Sequence, residues 1–415
     1  MPKLPNTDSC CACGACVDAC SKGALSITED KNGFYTIKIE KNKCVECGVC
    51  ERQCHILHPD LVDWTSFENV QPLAGWTKNV EIIKKSASGG IFAQIAYDFL
   101  AEPKSYVYGA SLQNDSTVKH IEICDRKDLW KLQNSKYQQS IVIGIYSLVA
   151  QRLKNGNRVL FSGVPCQIGA LIAFLKCKKI NTEELFTIEV ICHGVPSNYL
   201  HKIGIKEVGA KRLLAYRNKD KSGWLFGANN RVVYELSDGS VLNVSCLSND
   251  FLFRSYLTFS FSRNNCYQCS YSKILRSSDI TIGDFWGFEK TENYAIYGNY
   301  MGTSVIFPNT PKGKWLVNQS LSLNIIPAKW HEILPLNQNL YMPTNRYVFR
   351  GYRHIHLIIK LPRLIRKIIL MNGSTNKITN KVYTIAWNIL CRKQREMQNK
   401  EINKRLKATL NILEK

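Results

Sequence analysis

The spacing C-x2-C-x2-C-x3-C occurs twice in the first 60 residues and constrains the chain more than any other feature. Cys10, Cys13, Cys16 and Cys20 form one copy, in CCACGACVDACSKGAL; Cys44, Cys47, Cys50 and Cys54 form the other, in CVECGVCERQCHILHP. Three closely spaced thiolates can converge on one cubane, and in two-cluster units the fourth cysteine of each copy serves the other cluster. That rule assigns Cys10, Cys13, Cys16 and Cys54 to one [4Fe–4S] cluster, and Cys44, Cys47, Cys50 and Cys20 to a second. Structural zinc ordinarily uses paired C-x2-C knuckles with longer gaps. Between the copies, ITEDKNGFYTIKIE alternates apolar and polar residues like a hairpin turning at Asn32-Gly33. Cys11 is left over and reads as an unligated thiol. Such a unit moves electrons one at a time and performs no substrate chemistry alone.

At 415 residues the chain has room for two or three domains. Hydrophobic content of 45% and aromatic content of 10% exclude wholesale disorder. No run approaches 18 apolar residues, and MPKLPNTDSCC lacks the apolar segment of a signal peptide, so a cytoplasmic place is expected. Seventeen cysteines in that compartment read as metal ligands or redox groups rather than disulfides. The formal net charge is +22, but 17 Lys and Arg against three Glu place +14 of it within residues 343–415. No nucleic-acid motif accompanies this basic tail, and no nucleic-acid partner is expected. Its stretch HLIIKLPRLIRKIIL either lies on an anionic membrane surface or packs on the body with its charges solvated.

After a connector at Asp60 to Pro72, the body mixes helices and strands. KSASGGIFAQIAYDFL reads as a turn opening an amphipathic helix, SYVYGASL as a strand, and SIVIGIYSLVAQRLKNGN as a helix ending at Gly156. Then come the strand RVLFSGV, the helix CQIGALIAFLKC, the strand LFTIEVICHGV and, later, the strand DITIGDFWG. A charged helix is expected from about Cys391 to Glu414. Cys166 follows Pro165 at a helix start, where free N–H groups favour a thiolate. Cys192 sits at a strand-to-turn junction, and Cys266 and Cys269 form a C-x2-C knuckle. These four suffice for a cubane; a zinc knuckle plus two core cysteines is the alternative. Cys124, Cys177, Cys246 and Cys391 read as small buried core residues.

VLFSGVPCQIGAL, EVICHGVPS, NNCYQCSYSKILRSSDITIGDFWG, SASGGIF and NSKYQQS together resemble the beta subunit family of coenzyme F420 hydrogenases and dehydrogenases, over roughly residues 5–290. The resemblance implies an iron–sulfur flavoprotein oxidoreductase, with FAD in the body and a third [4Fe–4S] cluster on Cys166, Cys192, Cys266 and Cys269. Val164 departs from the Thr that many members carry before the Pro-Cys. Candidate flavin contacts are Ser88, Gly89 and Gly90 at a helix start beside Ser86, and Lys136, Tyr137 and Ser140 in the segment from Asn134. His193 and Asp284 are the candidate catalytic residues, with Arg276, Asp279 and Trp286 nearby in sequence.

The expected fold is α+β: a bacterial-type two-cluster ferredoxin domain (1–60), a mixed α/β body in flavin-binding (73–150) and cluster-bearing (155–335) parts, and a basic, largely helical tail (343–415). The resemblance implies electron exchange with coenzyme F420 or another two-electron organic substrate, in surface polysaccharide biosynthesis, or with a redox partner protein. The alternatives are an electron-relay protein that needs a catalytic partner chain and a non-enzymatic zinc-binding interaction protein. A membrane-bound tail would make the cytoplasmic protein peripheral to the inner membrane face.

Overall fold

The computed structural model describes residues 1–65, 70–219, 230–245, 252, 256, 261–297, 301–344 and 399–413. The N-terminal unit is built twice over. Gly14 and Gly48, at φ +83° and +69°, each swing the chain through a left-handed turn into one short helix, α1 (Ala15–Ala19) and α2 (Val49–Arg52). Between them β1 (Leu25–Glu29) and β2 (Tyr35–Ile39) pair antiparallel, with Leu25 opposite Ile39. The Asp30 carboxylate accepts from the Asn32 and Phe34 amides at 2.8 and 2.9 Å, and Gly33 takes φ +78°. This is the hairpin expected at Asn32-Gly33.

The body is organised by an eight-stranded sheet. β4 (Ser105–Leu112), β6 (Arg158–Gly163), β7 (Leu185–Val190) and β11 (Ile280–Asp284) run parallel at its centre. β5 (Val118–Ile123) closes one edge; β12 (Ser304–Pro308), β3 (Leu73–Thr77) and β13 (Leu323–Pro327) close the other, all antiparallel. Successive residues of a strand serve opposite faces. Val107 and Leu160 therefore pack under α3 (Val80–Lys84), α4 (Ile91–Phe99) and the helix Pro311–Gln319, while Tyr108, Val159 and Phe161 pack under α5 (Ile145–Lys154) and α6 (Pro165–Cys177). Helices on both faces explain why RVLFSGV and LFTIEV read as nearly continuous apolar runs. A second sheet, β8 (Ala210–Lys219), β9 (Asn230–Leu236) and β10 (Val241–Ser245), is antiparallel and packs beside β5 through Val118, Leu213 and Tyr234.

The ferredoxin unit is fastened to the body. Ala15 and Ala19 of α1 belong to the same apolar cluster as Tyr146 and Ile168. The Asp18 carboxylate accepts from the Gly144 and Ser147 amides at 2.5 and 3.3 Å, so an acidic side chain of the first unit caps α5 of the second. On the hairpin side Ser197 donates to the Asn32 carbonyl at 2.6 Å, ahead of α7 (Asn198–Glu207), and Lys202 pairs with Glu29 at 2.7 Å.

Two sequence expectations fail here. Cys124 and Cys177 are exposed rather than buried. Cys124 lies just past β5 at the sheet edge, and Cys177 ends α6 with its thiol toward the Arg52 carbonyl at 3.8 Å, which their short apolar contexts could not reveal. α5 also starts later than its apolar run suggests, because Ile141 bridges to Lys119 as an added strand residue. Cys246, Cys391 and residues 345–398 of the basic tail lie outside the described residues; a helix spans 399–413. No described helix is long and apolar enough to cross a membrane.

Asp279, one of the candidates near the knuckle, works in the fold. Its carboxylate accepts from the Thr187 amide and hydroxyl at 2.8 Å each and from the Thr310 hydroxyl at 2.6 Å, tying β7 to β11 and to the helix that follows Thr310. Asp279→Ala is expected to lower stability by about 2–4 kcal/mol, read as an earlier anaerobic urea midpoint with iron content unchanged. An unshifted midpoint would contradict this role.

Candidate functional site

In an open α/β sheet, ligands collect beyond the carboxyl ends of the parallel strands. Here β6 runs into Val164-Pro165-Cys166, β7 into Cys192-His193, and β11 into Asp284 and Trp286. These ends open onto a cavity of about 1040 Å³, whose opposite wall is supplied by the loop before α4 and by the segment 133–140. Most sequence-predicted site residues meet in this one space.

Cys166, Cys192, Cys266 and Cys269 all line it. Cys166 occupies the first turn of α6, where Gln167 Oε1 accepts the Val164 amide at 3.1 Å. Cys192 Sγ accepts the Gly194 amide at 3.4 Å. Cys266 and Cys269 flank a short 3-10 turn, Asn264–Gln268. Burial first, then the neighbouring thiols, raises the Cys266 pKa, and burial pushes Cys192 up to about 11. Contact with Cys11, then burial, does the same to Cys166. These half-buried thiols thus share one electrostatic neighbourhood that holds them protonated.

The ferredoxin cysteines lie close to one another around the two short helices. Cys20, Cys44, Cys47 and Cys50 surround one small hollow. Cys16 lies within electrostatic reach of Cys10 and Cys54, and Cys13 lies within reach of Cys16. The Ala12 and Ala24 amides donate to Cys10 Sγ and Cys20 Sγ, each at 3.3 Å. Such N–H···S bonds are a usual lever on cluster potential.

The flavin candidates divide. Ser88 and Gly90 line the cavity, Gly90 entering α4 at φ +78°. Gly89 turns away: its amide donates to Ser304 Oγ at 3.1 Å, and a Cβ there would meet the Gly75 carbonyl at 2.4 Å. It is a close-packing glycine against β3. Lys136 lines the cavity, donates to the Gln133 carbonyl at 2.6 Å and meets no carboxylate among the described residues. Burial alone brings its pKa down to about 7. Tyr137 stands 4.6 Å from Tyr256, ring centroid to centroid, and its hydroxyl accepts from Arg217 at 3.4 Å. Ser140 lines the cavity and bonds His120 beside it. The Ser162 carbonyl accepts from His120 Nε2 at 2.9 Å, and burial brings the His120 pKa down to about 4. The neutral ring therefore carries its proton on Nε2, and Ser140 Oγ donates to Nδ1 at 2.7 Å.

Both catalytic candidates face the cavity. Burial lowers the His193 pKa, keeping the ring neutral near pH 7. Asp284 pairs with Arg217 at 2.7 Å, and the guanidinium lies 5.3 Å from the Trp286 ring. Three further residues of the site carry no local sequence signal. Arg217 arrives from β8, across the second sheet. Arg263 is buried and donates to the Tyr35 carbonyl at 2.6 Å, Gln139 Oε1 at 2.8 Å and the Cys10 carbonyl at 3.4 Å. Glu189, fully buried in β7, pairs with Arg276 at 3.4 Å just behind the cysteines.

Residues 156–329 match the family described as the C-terminal region of the coenzyme F420 hydrogenase/dehydrogenase beta subunit, and residues 9–56 match the 4Fe-4S dicluster domain. Over residues 156–329 the body is thus similar to that beta subunit family, with an iron–sulfur dicluster unit ahead of it. The N-terminal unit is 40% identical over 52 residues to an uncharacterised ferredoxin of Methanocaldococcus jannaschii. That match spans 12% of this chain and 65% of that ferredoxin. A solved chain of the xenon-derivatised F420-reducing [NiFe] hydrogenase complex from Methanosarcina barkeri is also similar. It has a TM-score of 0.44 and 16% identity, covering 67% of this chain and 88% of that one.

Within the matched residues 156–329 the Glu189–Arg276 pair has a clear energetic signature. Burial raises the Glu189 pKa and lowers that of Arg276, so each keeps its charge only through the other and nearby dipoles. Arg276→Met is expected to destabilise the fold by about 3–5 kcal/mol, and Glu189→Gln in the same chain to restore most of it. Additive losses in the double variant would contradict the coupling.

Proposed function

We propose that this chain is an iron–sulfur flavoprotein that exchanges electrons between its ferredoxin unit and a two-electron organic substrate. The observation that carries this reading is the convergence of Cys166, Cys192, Cys266 and Cys269 on a cavity that also holds Lys136 and the start of α4. Cys10, Cys13, Cys16 and Cys54 hold the first cluster, Cys44, Cys47, Cys50 and Cys20 the second, and the four cavity cysteines a third. Cys47 is exposed, so electrons cross the protein surface at the second site.

The cavity suits FAD. Its 1040 Å³ lies at the upper end of the range for ligand sites. Lys136, a cation without a carboxylate, and the amide end of α4 at Gly90 bind the anionic phosphates. Tyr137 offers an aromatic wall, and the Arg217–Asp284 pair fixes the far side of the cavity. FAD, when bound, supplies the exchange between single electrons and hydride. Neutral His193 acts there as a hydrogen-bonding partner rather than as a charged acid. The substrate class is a deazaflavin such as coenzyme F420 or another organic hydride acceptor, and the reducing cytoplasm suits the thiolate ligands. A redox partner chain docking near Cys47 is the source or sink of electrons.

Two measurements test the reading. Cys166→Ala should lose about four iron per chain while the ferredoxin signals persist; unchanged iron would contradict the third cluster. FAD titrated into anaerobic protein should bind about 10–100-fold more weakly to Lys136→Gln. The pH dependence has a definite sign. Lys136 is largely neutral in the free cavity above pH 7, and an anionic ligand holds it protonated, so binding takes up a proton. FAD affinity should therefore fall from pH 7 to 9, by at most about tenfold per unit, and stay flat in Lys136→Gln. A profile shared by both proteins would contradict the assignment.

A further inference from the structure

Cys11, left over by the cluster motif, is buried at 4% exposure. Its Sγ lies within 4.8 Å of both Cys13 Sγ and a His55 ring nitrogen. The Cys166 thiol on the body side is also within its interaction reach. One thiol thus lies beside a sulfur assigned to the first ferredoxin cluster and a sulfur assigned to the third.

The placement is rigid. Gln139 Nε2 donates to the Cys11 and Ala12 carbonyls at 2.9 and 3.1 Å. His55 Nε2 meets Cys11 Sγ at 3.5 Å, and His55 Nδ1 meets the Tyr271 hydroxyl at 2.6 Å. Tyr271 in turn packs against Gly169 of α6, where a Cβ would fall 2.0 Å from its hydroxyl oxygen. A larger residue at 169 would push Tyr271, then His55, out of line. The chain therefore fixes Cys11 from both units, although the two ligand sets are complete without it.

We propose that Cys11 is an unligated thiol bridging electron transfer from the Cys13 side of the ferredoxin unit to the Cys166 side of the body, with His55 and Tyr271 as positioning residues. This rests on the ligand assignments made above. Tunnelling decays steeply with the gap between donor and acceptor edges, and a sulfur beside both the Cys13 and Cys166 thiols divides that gap into shorter steps. In each transfer one electron leaves the ferredoxin-side centre, which is oxidised, and the same electron reduces the body-side centre. No bond forms or breaks, and the Cys11 proton stays on sulfur. The first cluster, rather than the second, is thereby the donor to the body.

The test uses the full cluster-bearing chain purified anaerobically, as wild type, Cys11→Ala and the nearly isosteric Cys11→Ser. Iron is counted, and reduction of each cluster is followed by freeze-quench electron paramagnetic resonance after mixing with dithionite. Cys11→Ala should keep all its iron and reach the same final reduction, while the body-side signal grows in more slowly by about tenfold or more; Cys11→Ser should fall between. An unchanged rate, or loss of about four iron, would overturn the bridge, the latter by making Cys11 a ligand. Cys166→Ala run alongside separates the two layers: if it keeps all its iron, the ligand assignment beneath the bridge fails.

Discussion

The buried guanidinium of Arg263 joins the three segments on which the rest of the site depends. It reaches the Tyr35 carbonyl in the ferredoxin hairpin, the Cys10 carbonyl beside the first cluster motif, and Gln139 in the body. Gln139 passes the grip on to the Cys11 and Ala12 carbonyls. Only three residues along the chain from Arg263 lies Cys266. A planar cation with five donors can hold several acceptors in fixed relation, which a lysine in the same place could not. The docking of the electron-carrying unit and the position of the C-x2-C knuckle are consequently one structural event.

The sheet explains where that event takes place. Three of the four parallel strands deliver Cys166, Cys192 and Asp284 to the same edge, because a parallel sheet points all its carboxyl ends one way. The antiparallel flank β12, β3 and β13 then supplies Ser304 and Gly75, against which Gly89 packs to bring the start of α4 to the cavity. Residues 73–150 and 155–335, read separately from sequence, contribute strands to this single sheet. The cavity lies where both meet the ferredoxin unit.

The sequence carried the local features well and the convergent ones poorly. Cysteine spacing, the Asn32-Gly33 turn and the strand–Pro–Cys–helix corner at residue 166 are short-range patterns set by backbone geometry, and each is present. Cys11 looked spare because its partners, Cys166 and His55, are distant in sequence. Arg217, Arg263 and Glu189 left no trace for the same reason: their meaning comes from partners dozens to hundreds of residues away. Gly89 shows the opposite error: its neighbours in sequence line the cavity, while Gly89 packs on Gly75. Exposure of Cys124 and Cys177 was likewise decided by the edges of the sheet and of α6, which composition does not mark.

The central claim is that ferredoxin unit and body form one redox assembly, with a third cluster and a flavin in the cavity. An anaerobic reductive titration of the FAD-saturated protein measures this most directly. Three clusters accepting one electron each and a flavin accepting two give about five electron equivalents per chain. An endpoint near two, with bound zinc or no flavin bleaching, would contradict the account.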